Sequence, residues 1–252
     1  MQLLLDDRLA PITKEIGFLE AECAVAVRTF TDWLEALQRD RGVSLTTRAV
    51  SGCLDEVLQT LLPLTSLDRR RFLFVPTASP WVAYFDNSYR GTDATGVMAY
   101  LARLIGCRGL RIVAVPNTIR GTGMAQTGRY GAVMLELYGP HDTDWLNYVR
   151  TIAAANDGGR WVFQQSGAPF PFEDIERYNA RRVKDRFTFE MLQQYAQELG
   201  LAPFDESFYL PPSDNTAMLV EKQGPTVQNL REYTLADVAR EVLRTTPHST
   251  WL

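Results

Sequence analysis

Phe72-Leu73-Phe74-Val75-Pro76-Thr77-Ala78-Ser79-Pro80-Trp81-Val82-Ala83-Tyr84-Phe85 decides the fold. Two apolar, aromatic-rich runs flank a Pro-Thr-Ala-Ser-Pro break. Such runs on either side of turn-forming residues predict two strands, 72–75 and 81–85, joined by a tight connection and hence neighbours in a sheet. Toward the N-terminus, Leu54, Val57, Leu58, Leu61 and Leu62 have the spacing of a short amphipathic helix stopped at Pro63. Residues 43–50 are rich in β-branched side chains and predict a strand. Farther out, Ile16, Leu19, Cys23, Ala26, Val27, Phe30, Trp33, Leu34 and Leu37 recur at helix spacing, with Gly42 as the stop. One long helix is expected there, with Trp33 fully buried on its stripe.

Toward the C-terminus, Thr92 or Asp93 can cap a helix carrying Val97, Tyr100, Leu101, Leu104 and Ile105 and ending at Gly106. Residues 110–115 read as a strand, 116–130 as a glycine-rich mobile loop, and 132–138 as a strand buried on one face only. Asn156-Asp157-Gly158-Gly159 supplies the positive φ values of a hairpin turn between 149–155 and 160–164. A helix is expected after Pro171, with Phe172, Ile175, Asn179 and Val183 inward. Another should follow from Thr188 to Gly200, then a strand at 217–222. Thr234 and Asp237 form a capping-box-like pair ahead of a last helix with Leu235, Val238, Val242 and Leu243 inward. Strands run through the middle, helices gather at both chain ends, and strand–helix–strand alternation is missing. The pattern predicts an α+β fold with a largely antiparallel central sheet and the end helices packed on it. Residues 1–252 read as one domain, and a sub-boundary would fall near 167–171.

Composition excludes several classes. Charged residues are 22% of the 252 and the net charge is −4, which argues against a nucleic-acid binder. No apolar run approaches the length that crosses a membrane, and the start Met-Gln-Leu-Leu-Leu-Asp-Asp-Arg lacks the basic region of a signal peptide. Cys23, Cys53 and Cys107 lie far apart and cannot all pair, so they are expected as small core residues in a reducing, cytoplasmic compartment. His141 and His248 are the only histidines, too few for a histidine-based metal site. The glycines from Gly121 to Gly128 run toward a strand with no lysine nearby, so a phosphate loop is not expected. Neither a metal nor a cofactor is expected.

Chemistry-bearing side chains concentrate in two stretches. In residues 81–93, an aromatic strand carrying Trp81 and Tyr84 delivers Asp86, Asn87, Tyr89 and Arg90 to a loop, with Asp93 at the next helix start. The same residues also suit an Asx-turn, an Arg90–Asp86 pair and a helix cap. In the second stretch, Arg160 precedes Glu173 and Arg177, which as i,i+4 neighbours would form an ion pair on a solvated helix face. Its functional version is an arginine-rich surface for an acidic partner or an anionic ligand.

Trp81-Val-Ala-Tyr-Phe-Asp-Asn87, Asn156-Asp-Gly-Gly-Arg-Trp-Val-Phe163 and Pro171-Phe-Glu-Asp-Ile-Glu-Arg-Tyr178 resemble stretches of poorly characterised bacterial proteins of toxin-immunity style. The resemblance implies a bacterial cytosolic protein and favours a non-enzymatic role, and it transfers no functional residue. The lack of a catalytic constellation, the mild acidity and the many aromatics and arginines lead to the expectation of a protein-binding module, an immunity-type protein that neutralises a toxin-like protein partner by occlusion. The alternative is an enzyme on a small polar or anionic substrate, with Asp86 or Asp93 as base and Arg90 or Arg160 as anion clamp. Convergence of these groups in one deep pocket would favour the enzyme, and scatter over a broad face the binding module.

Overall fold

A computed structural model describes residues 2–121, 127–212 and 214–242. The first half of the chain runs β1 (Glu15–Leu19), α1 (Cys23–Gln38), β2 (Ser44–Ser51), α2 (Leu54–Gln59), β3 (Leu64–Thr65), β4 (Arg71–Pro76) and β5 (Val82–Asp86). It continues with α3 (Thr95–Ile105), β6 (Gly109–Val115), β7 (Ala132–Tyr138), β8 (Tyr148–Asp157) and β9 (Arg160–Ser166). α4 (Phe189–Glu198), β10 (Thr216–Gln223), β11 (Glu232–Tyr233) and α5 (Leu235–Val242) complete it. Among the described residues, nine strands form one sheet in the order β2-β10-β4-β5-β1-β6-β7-β8-β9. Every neighbouring pair is antiparallel. β3 and β11 form a separate two-stranded ribbon.

β4 and β5 pair as the Phe72–Phe85 stretch predicts, Leu73 opposite Phe85 and Phe74 opposite Tyr84. Alternation along the strands sorts side chains onto two faces. One face carries Ile16, Phe18, Leu73, Phe85, Ile112, Leu135 and Ile152, covered by the N-terminal segment, α2 and α4. The other carries Leu19, Phe72, Phe74, Tyr84 and Tyr138, covered by α1 and α3. The class is therefore α+β, built in three layers. The helices are not confined to the chain ends, because α3 falls between β5 and β6.

Burial on both faces explains two departures from expectation. Met134 and Leu135, adjacent in β7, are both buried, so this strand is not half-exposed. All of β1 is buried as well. A strand sealed on both sides loses its polar–apolar alternation, and Ile16 and Leu19 then mimic helix spacing. The helix begins only at Cys23. Trp33 is half-buried at its rim, its ring 4.9 Å from Tyr100, and Leu37 is exposed, so the stripe outruns the sheet beneath it.

The helix expected after Pro171 is also absent. Short 3₁₀ turns at Glu176–Asn179 and Val183–Asp185 replace it, Ile175 is exposed, and Tyr178 turns inward. The cause is tertiary. Glu173 accepts two hydrogen bonds from Arg150 of β8, at 2.9 and 2.6 Å, and one from the Tyr178 hydroxyl at 2.7 Å. A buried carboxylate so held outweighs a solvent-side helical pattern. Local chemistry prevails elsewhere: the Thr188 hydroxyl accepts from Met191 N–H, Thr234 and Asp237 close a reciprocal cap on α5, and Asn156 accepts from Gly159 N–H in the β8–β9 turn. In the expected loop at 116–130, Thr118 N–H donates to Arg129 and Arg120 pairs with Thr127. Residues 122–126 at its centre, together with Leu243 and His248, lie outside the described residues.

α3 lies directly on β1 and β6 because two glycines clear its path. A Cβ at Gly17 would stand 2.8 Å from Met98 Cγ and 2.9 Å from Ala94 Cβ, and one at Gly109 would stand 2.8 Å from the Met98 carbonyl oxygen. Gly17→Ala is therefore expected to destabilise the fold by about 1–3 kcal/mol through overpacking. Urea denaturation checks this, and an unchanged midpoint would mean that α3 does not seat as described.

Candidate functional site

The 81–93 stretch is divided by the alternation of β5. Tyr84 and Asp86 point to the α1/α3 face, whereas Trp81 is buried with the opposite core, its indole N–H donating to the Leu199 carbonyl at 3.1 Å. Asp86 is 0% exposed. It accepts from the backbone N–H groups of Ser88 at 3.0 Å and Asp93 at 3.1 Å, from the Tyr84 hydroxyl at 3.3 Å, and from Arg69 at 3.5 Å. Beside it, Glu15 of β1 accepts from Ala94 N–H at 2.6 Å and from Arg111 of β6 at 2.7 Å. Arg111 also donates to Glu136 of β7 at 2.9 Å, and the Tyr138 hydroxyl donates to the same carboxylate oxygen. A row of buried charges thus crosses four adjacent strands beneath the start of α3.

This row replaces the expected cap. Ala94 is the N-cap residue of α3 and contributes no side-chain bond, Asp93 is exposed, and the Thr92 hydroxyl donates to the Ile12 carbonyl. The N–H groups of residues 93 and 94 are taken instead by carboxylates rising from the sheet. Strand residues supply both the negative charge and the acceptors that a helix start requires. Burial pushes the Asp86 carboxyl up to about 6, with Arg69 and the two N–H donors opposing. Burial likewise raises Glu15 against the pull of Arg111. A carboxyl raised to about 6 could exchange protons near neutrality, but Asp86 is fully buried and its oxygens are taken by internal donors.

The other candidates settle elsewhere. Asn87 Oδ1 accepts from the N–H groups of Arg70 and Arg71, and its amide donates to the Pro63 carbonyl, so it fastens the approach to β4. Tyr89 stacks on Tyr233 of β11 at 5.0 Å. Arg90 is exposed and bonds to the Tyr89 hydroxyl, and the partner of Asp86 is Arg69. Arg160 is exposed at the tip of the β8–β9 hairpin. Glu173 is buried against Arg150, while the exposed Arg177 donates to the Asp185 carbonyl, so no Glu173–Arg177 pair forms. Burial pushes Glu173 up, but Arg150, the Phe170 N–H and the Tyr178 hydroxyl outweigh it and hold the carboxyl below its usual range. Glu15, Arg69, Arg111, Glu136 and Arg150 were absent from the sequence-derived set. The available signal was a charge inside an apolar run, as in Arg111 within Leu-Arg-Ile-Val and Glu136 within Met-Leu-Glu-Leu.

The ten candidates therefore do not converge. A cleft of about 510 Å³ opens between the N-terminal segment and residues 193–206, and another of about 490 Å³ lies between residues 20–24 and 76–82. Neither wall includes Asp86, Glu15 or Glu173. The three thiols are free but none is a core residue as expected: Cys53 is exposed at the start of α2, and Cys23 and Cys107 are half-buried at the rim of the α1/α3 core. Burial pushes the Cys23 thiol, on the second wall, up to about 12 and that of Cys107 up to about 11, so both stay protonated at neutral pH. Among the described residues, no group of three His, Cys, Asp or Glu side chains is placed to hold a metal ion.

One surface does collect side chains suited to contact. Trp145 is 71% exposed and Leu146 62%, on the β7–β8 loop. That loop is held against α3 by the Asn147 amide donating to the Ala99 carbonyl at 2.8 Å and by an Arg103–Asp142 pair. On α3, Tyr100 and Leu104 are exposed one turn apart, and Tyr100 meets Trp33 of α1, one turn before the exposed Leu37. No family model, curated protein or solved structure matches the chain.

The buried row has a signature in pH. A carboxyl raised from 3.8 to about 6 on folding binds its proton more tightly in the native state, so its contribution to stability falls as pH rises between those values. The loss is on the order of 3 kcal/mol for a shift of about two units. Asp86→Asn is expected to flatten the dependence of unfolding free energy on pH between about 4 and 6. A variant that keeps the wild-type slope would assign that slope to another group.

Proposed function

We propose that the chain is a protein-binding module and that its docking face is formed by α1, α3 and the β7–β8 loop. The observation that carries this reading is the exposure of Trp145, Leu146, Leu104, Tyr100 and Leu37 on adjoining elements, which leaves aromatic and aliphatic side chains in water. Interface cores are enriched in such aromatics and depleted of charge, and contiguous exposed apolar patches mark contact sites. The buried ionisable groups point the same way, because Asp86, Glu15 and Glu173 spend their acceptors on internal partners and face neither of the larger clefts. An enzyme that used one of these three carboxyls would need it presented to a substrate. Resemblance to bacterial immunity-style proteins supports a toxin-like partner, bound and occluded.

The test begins with co-purification against the products of neighbouring genes, which supplies the partner. Calorimetry with the Trp145→Ala/Leu104→Ser variant then measures the face directly. Trp145 is mostly and Leu104 half exposed, so the melting temperature should fall little while affinity falls by about 2 kcal/mol, roughly 30-fold. Wild-type affinity in that variant would remove this face from the interface. A small molecule that co-purifies in place of a protein would favour the enzyme.

A further inference from the structure

We infer that β2 is a dimerisation edge, on which a second copy of this chain adds its own β2 antiparallel to extend the sheet across a two-fold axis. The two ends of the sheet are treated differently. The Val183–Asp185 turn packs against β9 and β8, and the Arg186 guanidinium lies 6.0 Å over the Phe163 ring of β9. β2 is the longer edge strand, at eight residues, and pairs with β10 over its whole length without a register shift. Six of its eight residues are exposed. The strand Ser44-Leu45-Thr46-Thr47-Arg48-Ala49-Val50-Ser51 contains no proline, no lysine and a single charge. Sheet edges that remain unpaired are blunted by short length, lysine, proline, bulges or a covering segment, because a free row of N–H and C=O groups templates another strand. β2 carries one charged side chain, Arg48, which is engaged by Glu221, and none of the other devices.

The sequence of β2 selects its own copy in one register. Outward N–H and C=O groups recur at every second residue, so two antiparallel copies pair with an even sum of residue numbers and the axis passes through a residue. An axis at Arg48 would set that guanidinium opposite itself, which is unfavourable. An axis at Thr47 pairs residues 44–50 with themselves in reverse, Arg48 opposite Thr46, Leu45 opposite Ala49, and Val50 opposite Ser44. No like charges meet, and Arg48 keeps its bond to Glu221 at 3.2 Å within its own protomer. Placements centred on residue 46 or 49 shorten the overlap. This interface is separate from the α1/α3 docking face and does not depend on it.

Light scattering on the purified chain should give twice its 28.5 kDa mass at high micromolar concentration. Thr47→Cys should form a disulfide-linked dimer on oxidation, since residues facing each other across an antiparallel pair stand within disulfide range, whereas Arg48→Cys should not. Thr47→Lys should weaken dimerisation by about tenfold or more through like-charge opposition, with circular dichroism unchanged. Mixing Thr47→Lys with Thr47→Glu should restore dimers, because only the mixed pair places opposite charges at the axis. A monomeric wild type overturns the proposal and leaves the edge to a strand from another protein. A dimer that tolerates Thr47→Lys, or that crosslinks through Arg48→Cys in preference to Thr47→Cys, overturns the interface or its register.

Discussion

The seating of α3 on the sheet depends on buried charge under its first turn. Glu15, Arg111 and Glu136 come from three consecutive strands of the sheet order, with Asp86 beside Glu15 on β5. Two of the four carboxylate oxygens of Asp86 and Glu15 take the N–H groups of residues 93 and 94. None of these charges would be tolerated alone in such a place, since a buried carboxylate without a partner costs several kcal/mol. They become tolerable together, and only with β5, β1, β6 and β7 in their observed order and with α3 directed toward them. Gly17 and Gly109 complete the arrangement by letting the helix backbone descend onto β1 and β6. The ion row thus links strand order to helix position, a specificity that apolar packing alone supplies less sharply.

The Arg150–Glu173 pair does the same for the other face. It draws the segment after β9 down onto β8, with Tyr178 and Tyr195 completing the hydrogen bonds. In both places the polar chemistry is turned inward and its carboxylates are held by internal donors, although Arg111 Nε is left without a hydrogen-bond partner. What remains for contact with other molecules is the outside: the aromatic face of α1, α3 and the β7–β8 loop, and the open β2 edge. The proposed binding role rests on these outward features.

Secondary structure was readable wherever a local rule operates. The β4–β5 pair, the Gly158-Gly159 turn, the Thr188 and Thr234 caps and the β2 and β10 strands follow from turn chemistry, capping and β-branching, which act within a few residues. The readings failed where burial was two-sided or where a distant partner intervened. Ile16 and Leu19 lost the alternation that marks a strand because both sides of β1 are covered. Residues 171–186 lost their helix because Arg150, far away in the chain, claims Glu173.

The candidate site divides along the same line. By itself the sequence determined that charged and aromatic residues cluster at 81–93 and that the chain holds only two histidines. Those properties are set by composition and short-range spacing. Which of those residues meet was decided only by tertiary structure. The period of two along β5 sends Trp81 and Asp86 to opposite faces, and the partners of Asp86 and Glu15 arrive from strands and a helix start that no local pattern joins. Burial then decides the charge state, because the energy of an ionised carboxyl depends on the solvent and cations around it, and these exist only once the sheet has closed.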